Sequence, residues 1–402
     1  MSSHHVPRLE DTKTTLDGLG QRVFLIAGVV GLIGLAATFG LGMTHGDNLE
    51  HFAFSYLVAY AFFLAVSLGA LVFIPIQYVT RASWCIVIRR LAETISAVMP
   101  VLLLLALPVF FLHGRIYGWA DPAAASDPLM AHKAGFLSTN AFLLRWAIYF
   151  VLWTVLGWYF WRNSLKQDTS GDLKLTRKME NMSGFAILVY ALSIGLAGMD
   201  LVMSVDHLWF STMFGVYYWA GGFVSFYAVM TLLTMGLQNT GRLTKIVSAE
   251  HFHDYGKLMF AFTFFWGYIA FSQYMLYWYA NIPEETHWYW IRSNNGWGRI
   301  GLATVFVTFA LPFAGLVSRY AKRSRKMLAF WAFWIIGAQW LSLYWTIMPQ
   351  FSESFVIDPM DLTAFIGVGG IWLAAVARFA TGRSLVPTKD PRLEDSLRFE
   401  NA

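Results

Sequence analysis

Ten apolar runs, near 22–44, 50–74, 84–112, 141–161, 184–205, 213–238, 255–281, 299–318, 327–348 and 361–380, dictate what this chain can fold into. Each is long enough to cross about 30 Å of hydrocarbon as a helix. Inside lipid a backbone must satisfy its own hydrogen bonds, and an unclosed segment does so only as helix. The expectation is an all-α polytopic membrane protein with about ten transmembrane helices. Of its 402 residues, 57% are hydrophobic and 13% charged, whereas soluble domains carry about 25% charged residues. The layout reads as an N-terminal tail over 1–21, a ten-helix domain over 22–380 and a C-terminal tail over 381–402. No small-residue cleavage site follows the first run, so it reads as a retained span. Pro100, Pro108 and Pro312 lie inside runs and should kink them.

The net charge of +5 lies in short loops, where it sets orientation and gives no reason to expect nucleic acid as a partner. The N-terminus, loops 2–3, 4–5, 6–7 and 8–9, and the C-terminal tail hold almost all the Lys and Arg. Loop 8–9 alone carries Arg319, Lys322, Arg323, Arg325 and Lys326. The other side is acidic, with Asp47, Glu50, Asp206, Glu284, Glu285, Glu353 and Asp358. Both termini are therefore expected in the cytoplasm. A weak repeat also shows. Asp47-Asn48-Leu49 and Asp206-His207-Leu208 both form short hinges before aromatic-rich runs, and the long loops 113–140 and 282–298 fall four runs apart. Runs 2–5 and 6–9 would then form two parallel four-helix bundles, with the first and last runs peripheral.

A single cysteine, Cys85, excludes internal disulfides, cysteine-ligated clusters and c-type haem attachment. All ten histidines fall at termini, run ends or loops, so no bis-histidine haem site is expected, and no bound metal. His251 and His253 are read as part of a solvated loop.

The titratable residues leave several readings open. The stretch from Asn181 to Gln238 places Asp200 inside the fifth run and Asp206 and His207 in the hinge after it. If helix continues to the hinge, Asp200, Met203, Ser204 and His207 share one face, and Ser211-Thr212 can cap the sixth helix. Asp200 reads as a proton site, a partner for a cation or a structural hydrogen bond. An outer half-path through Asp200, Asp206 and His207 would have Glu284 and Glu285 nearby. Its inner mouth would lie near Glu93 or the cluster Glu250, His251, His253 and Asp254. Glu93 also suits a local ion pair with Arg89, four residues away. In the middle, the fifth and sixth runs offer only hydroxyls, so waters would have to complete a wire. Gln273, Tyr274, Tyr277 and Trp278 could frame a quinone head group, or form the interfacial Trp/Tyr belt.

Three segments resemble one family. The stretch AGMDLVMSVDHLWFSTMFGVYYWAGG from Ala197, FSQYMLYWYANIPEET from Phe271 and ASWCIVIRRLAETISAVMPVL from Ala82 are similar to ActF-type subunits of alternative complex III. That family lies in the wider NrfD-like group of polysulfide-reductase membrane subunits. The resemblance implies a place in a bacterial inner-membrane quinol:electron-acceptor oxidoreductase of the respiratory chain. It also implies partners: an ActC-like membrane subunit, an iron–sulfur protein and c-type cytochromes, which would hold the clusters and haem c. Menaquinol or ubiquinol would be the reductant and membrane lipids the surroundings. This chain would serve proton conduction and assembly, with no cofactor of its own beyond the quinol that the family label allows. Two other readings stay open: a quinol-binding subunit of another NrfD-like oxidoreductase, and a secondary transporter. Against the transporter, no run shows a broken, glycine-interrupted centre.

Overall fold

The computed structural model describes residues 8–121, 123–124 and 128–401. The first seven residues of the N-terminal tail and positions 122 and 125–127 of the long loop 113–140 lie outside the described residues. Among the described residues there is no β-strand, only the isolated bridges Lys13–Arg242 and Thr15–Ser384. The chain is an all-α polytopic membrane protein, with long helices in the order the hydropathy implies. These are α1 (Gly18–Thr44), α2 (Glu50–Val79), α3 (Ile86–Phe111), α4 (Thr139–Ser170), α5 (Leu173–Leu201) and α6 (Phe214–Asn239). They continue with α7 (Ala249–Ala280), α8 (Trp297–Val317), α9 (Arg325–Ile347) and α10 (Pro359–Ala380). Nine of these are long and apolar enough to cross a membrane. The exception is α7, whose 32 residues suffice in length but include Gln273 and many Tyr and Trp side chains that lower its hydropathy.

Helices α4, α5 and α7 extend beyond their apolar runs. Hydropathy detects the lipid-crossing part, while Lys, Arg, Glu and Gln are good helix formers that carry the helix on into water. Gly171, at φ 66°, ends α4 in the left-handed region where only glycine is unstrained. One residue on, Asp172 caps α5 by accepting the Lys174 N–H at 2.9 Å.

Helices α2, α3, α4 and α5 adjoin one another in a ring, and α6, α7, α8 and α9 form a second ring. The two bundles meet where α2 packs on α6, the first helix of each. A Cβ at Gly222 would come within 2.7 Å of Ala65, so small residues set this close approach. The pair α1 and α10 lies outside the rings, as the internal repeat implies. Its helices touch through Gly31 and Gly34 against Gly367 and Gly370, where a Cβ at Gly370 would meet the Gly31 Cα at 2.6 Å. The rest of α1 presents Leu25, Ile26, Leu32 and Ile33 outward.

Pro100, Pro108 and Pro312 break two helices, as expected of prolines inside apolar runs. Helix α3 yields at Val98 and Ala106, just ahead of Pro100 and Pro108. In α8 a π-helical segment, Val305–Ala310, precedes Pro312. Carbonyls freed near these breaks find tryptophan donors. The Trp158 Nε1–H donates to Ala97 O at 2.9 Å, and the Trp334 Nε1–H to Val307 O at 2.8 Å.

Candidate functional site

Helix α5 ends at Leu201 and gives way to a 3-10 turn, Met203–Val205, so it does not run on to the hinge. The expected common face of Asp200, Met203, Ser204 and His207 is thereby lost; Ser204 instead donates to Asp200 O at 2.6 Å. Nor does Ser211-Thr212 cap α6, whose N-terminal residue Met213 makes no side-chain cap. The Ser211 hydroxyl donates to Gln273 Oε1 at 3.0 Å.

Asp200 is fully buried and points into the first bundle, where α4 supplies its partners. The Arg145 guanidinium grips it through Nε at 2.8 Å and Nη2 at 2.7 Å, and the Tyr149 hydroxyl donates at 2.9 Å. Arg145 also donates to Phe136 O and lies 3.7 Å from the centre of the Phe136 ring. Of the readings left open, these contacts make two, the partner for a cation and the structural hydrogen bond to a neighbouring helix.

Asp206 faces the second bundle. One carboxylate oxygen accepts the N–H groups of Leu208 and Trp209, each at 3.3 Å, and the other accepts from Gln350 Nε2 at 2.8 Å. Asp47, its counterpart in the predicted repeat, likewise accepts the His51 N–H at 3.0 Å. Asp200 and Asp206 thus serve separate networks. Lys133 donates to the His207 carbonyl at 2.8 Å. Glu284 is exposed and Glu285 half-buried, in the first turn of the short helix Pro283–Ile291.

From Asp206 a polar line descends between α6 and α9. Gln339, Ser342, Thr346 and Gln350 follow at steps of three, four and four, which puts them on one face. Arg292, 2% exposed, donates to Thr346 O at 2.7 Å and to Trp288 O at 2.9 Å. Burial pushes its guanidinium down to about 9 against the pull of the Asp206 charge, which leaves it protonated at neutral pH. Thr346 donates to Ser342 O at 2.8 Å, and the Ser342 hydroxyl lies 2.8 Å from that of Tyr217. Below them a cavity of about 10 Å³, lined in part by Tyr217, Ser225, Gln339 and Ser342, has room for roughly one water. Further along, Thr234 and Tyr255 hydroxyls lie 3.4 Å apart, near the first turn of α7. The α9 members and Arg292 were not among the sequence candidates, although the spacing on α9 was there to be read.

The aromatic patch on α7 divides. Gln273 is buried and also donates to the Tyr289 hydroxyl at 3.3 Å, while Tyr277 donates to Phe210 O at 2.6 Å. Tyr274 and Trp278 point outward, 47% and 67% exposed, as belt residues do. The four therefore do not frame one slot.

At the end that carries both tails, Glu93 bridges Arg89 at 3.0 Å and Arg90 at 2.9 Å, all fully buried. Arg89 continues to Asp390 of the C-terminal tail at 2.6 Å, and Arg90 to Asp168 of α4 at 2.7 Å. Burial pushes the Asp390 carboxyl up, but the Arg89 charge and hydrogen bond outweigh it and hold the group below its ordinary value. The Glu250–Asp254 cluster is not the solvated loop expected. It forms the first two turns of α7, where His251 Nδ1 accepts the N–H of the N-cap Ser248, Glu250 pairs with Arg323 and Asp254 with Lys257, and both histidines are buried.

One group among the described residues has metal-ligand chemistry. His45, His51 and Asp358 each offer an atom within 4.8 Å of the others. Tetrahedral zinc with bonds near 2.0–2.1 Å holds its donors closer than that, so the three would have to draw in to bind an ion. No family model matches the chain, and no curated protein matches it.

Proposed function

We propose that this chain is a proton-conducting and scaffolding membrane subunit of a quinol-oxidising respiratory complex of the alternative complex III type. What carries the proposal is the line Asp206–Gln350–Thr346–Ser342–Tyr217. Its members lie between a buried carboxylate at the hinge and a water-sized cavity, with Arg292 beside them. Gln350 bonds Asp206 and Ser342 meets Tyr217, while Thr346 bonds the Ser342 carbonyl, so waters would have to complete the wire. Hydroxyls and a water can hand on a proton, and the arrangement needs no redox group in this chain. The resemblance of the Ala197, Phe271 and Ala82 segments supports the choice of complex, with an ActC-like subunit, an iron–sulfur protein and c-type cytochromes as partners.

Tyr217→Phe tests the line, since it removes one hydroxyl and little volume. In the purified complex it should slow quinol-driven proton release by about a hundredfold, the lower end of what one positioned proton-transfer group contributes to a rate. Subunit composition should be unchanged. Undiminished proton release would make the line a packing feature. Both termini are cytoplasmic in this proposal, on the strength of the Lys and Arg bias; a reporter fused after Ser293 that scores as cytoplasmic would reverse the orientation.

The interrupted helices α3 and α8 favour a second reading, a secondary transporter. Purification separates the two: haem- and cluster-bearing subunits co-migrate with a complex subunit, whereas a transporter runs as an oligomer of this chain alone.

A further inference from the structure

A surface cleft of about 530 Å³ opens at the tail-bearing end of the first bundle, within the usual range for small-ligand sites. Three arginines line it, each from a different segment: Arg81 from the turn after α2, Arg177 from α5 and Arg392 from the C-terminal tail. Among the residues that line it Glu180 is the one carboxylate, and Asp390, behind the cleft and bound to Arg89, lies 3.9 Å from Arg392 Nε. Glu180 lies 3.8 Å from Arg81 and 3.3 Å from Arg392, and Arg177 makes no ion pair among the described residues. The cleft is thus short of negative charge by about two units. Its donors are also unspent: none of the three side-chain nitrogens of Arg392 makes a hydrogen bond, although all three are buried. Arg392 is held there through Asp390, which accepts its backbone N–H at 2.9 Å and is itself bound to Arg89. Arg81 sits at φ 52°, where glycine would be unstrained, so the turn keeps a guanidinium at a conformational cost.

A second observation concerns what lies beyond the cleft. Arg177, Asn181, Phe185, Leu188 and Leu192 follow along α5 at steps of four, four, three and four, so they share one face. Phe185, Leu188 and Leu192 are 57%, 59% and 64% exposed, on the part of α5 that crosses the membrane. Arg177 precedes that apolar stripe by about 12 Å at 1.5 Å per residue, a gap its long side chain partly spans. A guanidinium there reaches the headgroup layer, whose depth is about 5–8 Å.

We propose that the Arg81–Arg177–Arg392 cleft binds the phosphate of an anionic phospholipid whose acyl chains lie along Phe185, Leu188 and Leu192. Guanidinium forks match phosphate oxygens in pairs, and the apolar stripe beginning at the rim suits an amphiphile better than a free anion. Because the C-terminal tail supplies one arginine, the lipid would also join that tail to α2 and α5.

The test uses the full chain, purified in neutral detergent, stripped of lipid and titrated with phosphatidylglycerol under native mass spectrometry. One bound phosphatidylglycerol should survive at low occupancy of the rest, and phosphatidylcholine should not replace it. Arg177→Gln, an exposed change with no ion pair to lose, should weaken binding about fivefold, the worth of one arginine at an anionic lipid surface. Arg81→Gln with Arg177→Gln should weaken it further. Wild-type affinity in Arg177→Gln, or equal retention of phosphatidylcholine, overturns the site. Displacement of the lipid by millimolar inorganic phosphate also overturns it, by making the cleft a free-phosphate site.

Discussion

Glu93→Gln should release the C-terminal tail and destabilise the first bundle by about 3–5 kcal/mol, the cost of removing one partner from a buried ion pair. The substitution keeps shape but removes the one charge shared by two buried guanidiniums. Arg89 and Arg90 then keep Asp390 and Asp168 but lose the carboxylate that bridged them, and the new amide N–H group faces a guanidinium donor with no water between them. Against a total stability of about 5–15 kcal/mol, such a loss is large. Thermal unfolding in detergent, with limited proteolysis after residue 381, measures it. A midpoint within about 2 °C of the wild type, with the tail still protected, would sink the prediction. The same network sets a pH dependence. Asp390 ordinarily titrates near 3.8 and is held lower in the folded state. Its contribution is complete above 3.8 and is lost as pH falls through the lower folded value. The tail should therefore loosen on acidification below about pH 4 and not on alkalinisation.

The second large effect belongs to Asp200. Asp200→Leu strands Arg145 and should cost about 3–5 kcal/mol. Asp200→Asn keeps an acceptor for Tyr149 and should cost less, about 1.5–3 kcal/mol, the worth of hydrogen bonds to a charged group. Arg145 stays partly anchored in either variant by Phe136, which keeps the losses toward the lower ends of these ranges. Neither substitution touches the line from Asp206 to Tyr217, so an assembled Asp200→Asn complex should release protons at the wild-type rate. If quinol-driven proton release slows about a hundredfold while assembly is intact, the route runs through the first bundle and the α9 line is structural.

These outcomes separate what the sequence made legible from what it concealed. Lipid is a strict filter, so run length revealed the long helices and their order, and the repeated hinges and loop spacing revealed the two-bundle arrangement. The local ion pair Arg89–Glu93 was readable because its members are four residues apart. Its extensions were not, since Arg89 and Asp390 stand 301 positions apart and Asp206 and Gln350 stand 144 apart. Periodicity within one helix says nothing about which helix faces it. Asp200 stood out as a charge in hydrocarbon, yet the arginine that accounts for it was 55 positions upstream on another helix. The polar face of α9 was written in its three- and four-residue spacing. It escaped notice because Gln, Ser and Thr are uncharged and disturb hydropathy little.

The pairing of α1 with α10 has a consequence for the order in which the protein can be made. Thr38 and Thr363 meet at 3.0 Å but are separated by 325 positions. At about 5–20 residues per second, α1 waits roughly 15–65 seconds in the bilayer before its partner is synthesised. During that interval its glycine face, Gly31 and Gly34, is open to any other helix with a small-residue surface. The rings of α2–α5 and α6–α9 can close meanwhile, each from neighbours in sequence. Helix α1 thus enters the bilayer long before it can find its place, and its docking reports that α10 has been delivered.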